Sequence, residues 1–206
     1  MMDAWGPLLA LTGSYLVGSI PTAYLLVKRL KRVDVRTVGS GNVGATNVTR
    51  VAGMGAGAVV FLLDVAKGLI AVWGMSPWLA RPVTPAAQLA CGLAAVLGHS
   101  FPVFLRFRGG KGVATTIGVL VGAVPLIAAG CLAVWVGSFL IWRYVSVGSL
   151  AAAATLPLLQ LLAHRPLPER WLGSALALVI IARHRANILR LLRGTEHRAG
   201  RPRGGP

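Results

Sequence analysis

"WGPLLALTGSYLVGSIPTAYLLVKRLKR", residues 5–32, decides what kind of protein this is. Residues 5–27 carry no charged side chain and are mostly apolar. A bilayer core needs about 20 such residues in a helix. "KRLKR", residues 28–32, follows at once, whereas Asp3 precedes. A cleaved signal peptide has its positive charge before the apolar run. Here the order is reversed. The stretch reads as an uncleaved first span, with its N-terminus outside and its cationic end inside.

The rest of the sequence repeats the theme. Of 206 residues, 55% are hydrophobic and 13% charged, and the mean hydropathy is +0.71. Soluble domains carry about 25% charged residues, so this composition cannot cover a globular surface. The net charge is +16, from 21 Lys and Arg against 5 Asp and Glu. In a soluble protein that excess would point to nucleic acid. Here the cations sit at the ends of apolar runs, no nucleic-acid-binding motif accompanies them, and anionic headgroups or anionic substrates are the better partners. Cys91 and Cys131 fall singly inside apolar runs and read as small core residues.

Continuing along the chain predicts further spans at about 53–73, 84–105, 113–124, 126–142, 147–163 and 171–182. Pro125 divides an apolar run too long for one helix. "MSPWLARP" (75–82) and "HRPLPER" (164–170) read as outer turns. The seventh span is expected to continue as a basic helix through Arg193. Residues 1–193 then form one all-α polytopic membrane domain, and 194–206 a basic, disordered tail. Seven spans put the N-terminus outside and the C-terminus in the cytoplasm. Only Arg81, Arg165 and Arg170 then lie outside, and Lys67 lies within a span; every other Lys and Arg is inside. Trp5, Trp73, Trp78 and Trp171 mark the outer interface. Gly118 and Gly122 form a GxxxG that predicts close helix packing. No internal repeat suggests a transporter built from inverted halves.

Three polar segments share the cytoplasmic face in this topology. "SGNVGATNVTR" (40–50) has too little apolar surface for a span and too little pattern for an amphipathic helix. A flexible linker has no need of its paired amides and terminal arginine. Ser40, Gly41, Asn42, Asn47 and Arg50 read instead as a cradle for phosphate. "GHSFPVFLRFRGGKGVAT" (98–115) is not a Walker A loop, since Gly112 follows Lys111 and Leu105 stands where the first glycine should be. Its Arg108, Gly109, Gly110, Lys111 and Gly112 nevertheless place cations and bare backbone at a helix start. Positive-inside anchoring accounts for Arg106 but not for the glycines. His99 either lines the site or caps its helix. "RHRANILRLLRG" (183–194) places His184 and Asn187 three apart on one helical face, with a basic stripe that could equally lie on anionic lipid. Asp64 and Lys67, also three apart, read first as a structural ion pair and second as part of a substrate cavity. No two histidines have metal-ligand spacing, so no metal or other cofactor is expected. No acid is placed to complete a Ser-His-Asp triad.

Taken together, these segments resemble the bacterial membrane glycerol-3-phosphate acyltransferase family that uses acyl phosphate as donor. The three polar segments match its three signature regions in order, and "LLDVAKG" (62–68) and "RYVS" (143–146) fit its pattern. The resemblance implies a seven-spanning protein of the bacterial cytoplasmic membrane with its site facing the cytoplasm. It implies transfer of a fatty acyl group to the first hydroxyl of glycerol 3-phosphate, giving lysophosphatidate and phosphate at the entry to phospholipid synthesis. Acyl-CoA and acyl-carrier protein are not that family's donors. In keeping with this, the HxxxxD signature of other glycerolipid acyltransferases is missing: Phe104 and Leu189 stand fifth after His99 and His184.

On this reading Ser40, Arg50 and Lys111 bind phosphate groups. His184 and Asn187 orient glycerol 3-phosphate or the reacting carbonyl, with His184 either general base or orienter. Ser146 or Ser149 lines the same pocket. The expected partners are the two small substrates and the lipid bilayer. A soluble enzyme that makes the labile acyl phosphate would dock on the basic inner face; nucleic acid is not a partner. The alternative is a small membrane carrier for phosphate-bearing metabolites. It needs polar residues deep in several spans, and only Asp64 and Lys67 are charged there.

Overall fold

The structure is a computed structural model and describes residues 5–200. Among the described residues every regular element is helical. Asp3 and residues 201–206 of the expected tail lie outside them. The chain divides into two compact units at Pro125.

In the first unit, helices α1 (Gly6–Ser19) and α2 (Thr22–Lys31) make up the first candidate span. The span expected to be continuous over 5–27 is broken, and Pro21 is the reason. It has no N–H to donate, and it drives Ile20 out of the helical region, to φ −56° and ψ 119°. Beyond the break the helix runs further than expected. Lys28, Arg29 and Lys31 occupy its last turn, where the helix dipole favours cations.

The second candidate span, Met54–Leu79, joins α4 (Met54–Leu69), a π-helical stretch (Ile70–Met75) and α5 (Ser76–Leu79). Residues 76–79, expected in a turn, therefore stay helical. The widened stretch precedes Pro77, which cannot donate back along a regular helix. Helix α6 (Pro85–Ser100) starts with Thr84 accepting from Ala87 N–H at 3.2 Å. It stops short of the expected residue 105, because Phe101 precedes Pro102; a single 3₁₀ turn follows at Val103–Leu105. Helix α7 (Val113–Ala123) ends before Pro125 as predicted. Gly118 lies so close to α4 that a Cβ there would overlap the Val65 carbonyl, which is the close packing its GxxxG implied.

Residues 45–52, predicted to lack a helix, form α3 (Ala45–Ala52). Eight residues are little more than two turns, too short for periodicity to stand out. Its apolar side is nevertheless real. Val48 is fully buried and joins Val27, Val35, Val43, Val60 and Leu105 in one cluster. Thr46, Thr49 and Arg50 face outward. The polar insert thus has a small core of its own beneath it.

The second unit holds α8 (Pro125–Trp142), α9 (Val145–Leu162), α10 (Leu167–Arg183) and α11 (Arg185–Leu192). The basic helix expected to run unbroken to Arg193 is interrupted at His184, whose N–H is shared between the Ile180 and Ile181 carbonyls. The turn before α10 is pinned by Arg165 and Glu169 at 2.7 Å. After α11 the chain turns back on Gly194, and Ala199 N–H donates to the Arg143 carbonyl at 2.8 Å. The start of the expected tail, up to Gly200, is therefore anchored.

Among the described residues, five helical segments are long and apolar enough to cross a membrane: Gly6–Lys31, Met54–Leu79, Pro85–Leu105, Pro125–Trp142 and Val145–Leu162. Their outer faces expose Leu8, Leu62, Leu126, Leu140 and Leu162, as lipid contact requires. The protein is an all-helical, multi-pass membrane protein. Cys91 and Cys131 are buried and unbridged.

Candidate functional site

Each unit carries a polar constellation around its predicted residues. In the first unit it begins with the loop over residues 33–44. Asp34 accepts from the Arg36 backbone N–H, Nε and Nη2, with Nη2 at 2.6 Å, and the guanidinium lies 5.5 Å from the Tyr24 ring centroid. The Arg36 side chain holds the Asp34 carboxyl below its ordinary range. Asn47, on α3, then gathers the loop around itself. Its Nδ2 donates to the Val35 and Val38 carbonyls at 3.2 and 3.1 Å, and its Oδ1 accepts from Ser40 N–H at 2.7 Å. Buried to 1% exposure, with both donors used, Asn47 has only acceptor capacity left. In this arrangement Asn47 braces the loop, and its amide donors are turned to the backbone rather than outward. Ser40 N–H is occupied by this brace and Gly41 N–H by the Val38 carbonyl. The cradle of bare amides expected here is not available at these two positions. What remains on this side is the exposed Ser40 side chain, half-buried Asn42, and Arg50 on the exposed side of α3.

The second predicted segment reaches the first through Gly110. Its N–H donates to the His99 carbonyl at 3.1 Å. A Cβ at Gly110 would overlap both His99 Nε2 and the Val43 carbonyl, so only glycine lets the two segments meet. Gly109 is buried beside it, against the His99 and Ser100 carbonyls. Gly112 stands before the first residue of α7 with φ +79°, the left-handed region, and a side chain there would press on Val96 and Ser100. These glycines hold Lys111, half-buried, and Arg108, exposed, at the start of α7. Cations and a helix start do converge, as expected, but the Gly110 amide is spent internally.

His99, at 8% exposure, lines a small, shallow cleft together with Ser19, Thr22, Val43, Lys67 and Leu105. Phe101, not His99, occupies the helix cap position. Lys67 forms the expected ion pair, with its Nζ 2.7 Å from Asp64 Oδ1. Thr22 joins it, its hydroxyl donating to Asp64 Oδ1 at 2.7 Å. Sequence reasoning missed Thr22. The available signal was a hydroxyl directly after a proline inside an apolar run.

In the second unit the constellation centres on Glu196. Its Oε1 accepts from Ser146 Oγ at 2.9 Å and Asn187 Nδ2 at 2.6 Å, and its Oε2 accepts from Arg190 Nε at 2.7 Å. Burial pushes the carboxyl up, but the bonds from Asn187, Arg190 and Ser146 outweigh it and hold it below its ordinary value of 4.5. Of the predicted residues, Ser146 and Asn187 are therefore brought together. Ser149 is not in this group. Its hydroxyl donates to the Val145 carbonyl at 3.0 Å and accepts from Trp135 Nε1 at 3.3 Å. His184 is buried to 2% exposure at the α10–α11 break, one turn before Asn187. Its Nδ1 lies 2.8 Å from the Ile180 carbonyl. A carbonyl only accepts, so Nδ1 carries the proton, and the lone pair of neutral His184 lies on Nε2. Glu196 and Arg190 were not among the predicted site residues. The signal was a lone acid just after a helix-ending glycine.

Among the described residues, no three His, Cys, Asp or Glu side chains are grouped as metal ligands would be. The carboxylates near the predicted residues, Asp64 and Glu196, are both engaged by cations and hydroxyls.

Comparison with known proteins agrees over nearly the whole chain. A family model described as "Glycerol-3-phosphate acyltransferase" matches residues 8–194. Proteins of that name from Gloeobacter violaceus and Myxococcus xanthus are 47% and 50% identical, covering 92% and 89% of this chain and 93% and 95% of their own. The crystal structure of PlsY (YgiH), an integral membrane glycerol 3-phosphate acyltransferase in its glycerol 3-phosphate form, is similar with a TM-score of 0.85 at 43% identity. The match covers 94% of this chain and 96% of that one. Its lysophosphatidic acid form gives a TM-score of 0.81. With the multi-pass helical fold and the two polar constellations, this coverage establishes that the chain belongs to the glycerol-3-phosphate acyltransferase family.

Proposed function

We propose that the protein transfers a fatty acyl group from acyl phosphate to the 1-hydroxyl of glycerol 3-phosphate. The carrying observation is the family match over residues 8–194, with relatives of that name at 42–50% identity. The donor is argued from chemistry. A site whose carboxylates already hold cations and hydroxyls has no spare strong base, and an acyl donor that arrives activated needs none. The substrate hydroxyl oxygen bonds to the acyl carbon, the bond from that carbon to the phosphate oxygen breaks, and inorganic phosphate leaves. The hydroxyl proton goes to the departing phosphate or to Nε2 of His184.

The enzyme's work is then positioning and charge stabilisation. Arg50, Lys111 and Arg108, with the Ser40 hydroxyl and the first turn of α7, receive phosphate groups. His184 and Asn187 orient the glycerol backbone or the acyl carbonyl. Glu196 holds Asn187 and Ser146 for that task.

The topology that fits this chemistry has seven spans, the N-terminus outside and the site facing the cytoplasm, in the bacterial cytoplasmic membrane. The distribution of Lys and Arg supports it. In this reading α10 is a span and α7, at about 17 Å long, enters without crossing the full hydrocarbon core. A soluble enzyme making acyl phosphate would dock on the basic inner ends of the helices.

The test is direct. Purified protein in lipid receives glycerol 3-phosphate with acyl phosphate and, in parallel, with acyl-CoA. Lysophosphatidate from acyl phosphate alone is expected. Product from acyl-CoA alone would overturn the donor, and no product from either would overturn the reaction.

A further inference from the structure

The ion pair inside the second span does more than neutralise itself. Pro21 breaks the first span, and at the break the Ile20 carbonyl accepts the Thr22 N–H at 3.0 Å in a turn outside the helical pattern. Lys67 Nζ donates to that carbonyl at 2.6 Å, to Thr22 Oγ1 at 3.1 Å and to Asp64 Oδ1 at 2.7 Å. Thr22 Oγ1 donates to the same Asp64 oxygen. Asp64 and Lys67 are 1% and 4% exposed. That oxygen also faces His99 Nδ1 at 3.7 Å, within reach of an electrostatic contact. The opposite edge of the ring, Nε2, is the atom that a Cβ on Gly110 would overlap, and the His99 carbonyl accepts the Gly110 N–H. Gly110 in turn rests against the Val43 carbonyl of the first polar segment. One line of contacts therefore runs from the helix break, through Asp64 and the His99 ring, to the loop that carries Arg108 and Lys111.

Stability alone does not call for this arrangement. A buried ion pair gains little over well-packed apolar residues of the same size, and charges within a span are costly. A pair that also ties down a helix break and faces a ring in contact with the glycine loop is placed to set that loop's position.

We propose that Thr22, Asp64 and Lys67 are positioning residues for the substrate-phosphate loop. They fix the His99 ring, and the ring fixes residues 109–112 against Val43, so that Lys111 and Arg108 meet an anion at the right place. The inference rests on the acyltransferase reading above, in which this loop binds phosphate. None of the three touches substrate.

The experiment compares full-length wild type, Thr22→Val, Thr22→Ser and Asp64→Asn in lipid. It measures KM and kcat, and separately the equilibrium Kd for glycerol 3-phosphate with no acyl donor present. Thermal melting is followed in parallel. A displaced phosphate loop is expected to raise KM and Kd by about tenfold or more, since small misplacements cost up to about a hundredfold. Thr22→Val should show this with kcat less affected, and Thr22→Ser, which returns the hydroxyl, should restore both values. In a His99→Gln background the Thr22→Val effect should vanish, because no ring remains to be positioned. Wild-type KM and Kd in a Thr22→Val protein that merely melts earlier would overturn the proposal, as would additivity with His99→Gln. Asp64→Asn tests the same link but carries the risk of not folding; the threonine pair does not depend on it. If wild type binds glycerol 3-phosphate but makes no product, the acyltransferase reading fails, and the Kd series still decides whether the cluster positions the loop.

Discussion

The two polar constellations are built on opposite plans. In the first unit an amide does the organising. Asn47 sits at the centre and bonds to backbone groups at Val35, Val38 and Ser40. In the second unit a carboxylate organises side chains, with Glu196 gathering Ser146, Asn187 and Arg190. The first plan shapes a loop and leaves its functional side chains pointing outward. The second aims the functional side chains directly. An amide is neutral and tolerates a site meant for anions. A carboxylate repels an anion unless its charge is consumed, and here Arg190 at 2.7 Å consumes it. The difference teaches that, on the proposed reading, phosphate would meet cations on a braced backbone, while one acid would set the groups proposed to orient the reaction.

Removing each organiser separates the plans. Glu196→Ala should have the largest effect. It leaves buried Asn187 and the Arg190 charge without their partner, at a cost of about 3 kcal/mol, and turnover should fall far more than substrate affinity. Melting temperature and the split between kcat and KM report the two. A Glu196→Ala protein with normal kcat would break the comparison. Asn47→Ala should come next, at about 2 kcal/mol for lost bonds and stranded carbonyls. Its kinetic signature is reversed, with a raised KM for glycerol 3-phosphate and a smaller change in kcat. Asn47→Asp should not rescue it, because a carboxylate cannot donate to Val35 and Val38. Gly112→Ala is smaller again, about 1–2 kcal/mol for a side chain at φ +79°, read as a shift in melting temperature.

How much of this was visible beforehand depended on the physical signal. Five of the expected spans were legible, and match helical segments long enough to cross a membrane, because an apolar run of span length has one suitable environment. Pro125 was read correctly as a break, since the run around it was too long to be one helix. Pro21 was not, because the run around it was just long enough, and apolar composition continued through the proline. Helix α3 was hidden by its length: two turns hold one buried valine and its neighbours, not a period. Asn47 was singled out, but its bracing of the loop was not foreseen. A sequence shows which groups can donate but not which carbonyls will lie within 3.2 Å. Glu196 was hidden by its company, a lone acid in a stretch that otherwise has a tail's composition.

The smallest expected effect is the sharpest discriminator, because the two organisers differ in whether they titrate. Asn47 has no proton to gain. Glu196 does, and its hydrogen bonds hold its carboxyl below 4.5 in the folded protein. A group whose pKa is depressed on folding contributes stability that is complete above its unfolded value and is lost as pH falls through its folded value. The second unit's constellation should therefore be intact above about pH 4.5 and loosen below it, with the Asn187 geometry lost first. Asp34 is also held down by Arg36, so the first unit is not wholly blind to acid. That pair is about a third exposed on the Arg36 side, and such a pair contributes at most about 1 kcal/mol. Melting temperature measured from about pH 6 to about pH 3.5 should fall in wild type. Asp34→Asn should keep most of that slope, and Glu196→Gln should flatten it from a lower starting point. If instead Asp34→Asn flattens the curve and Glu196→Gln does not, the acid-sensitive organiser belongs to the first constellation and the contrast between the two plans is reversed.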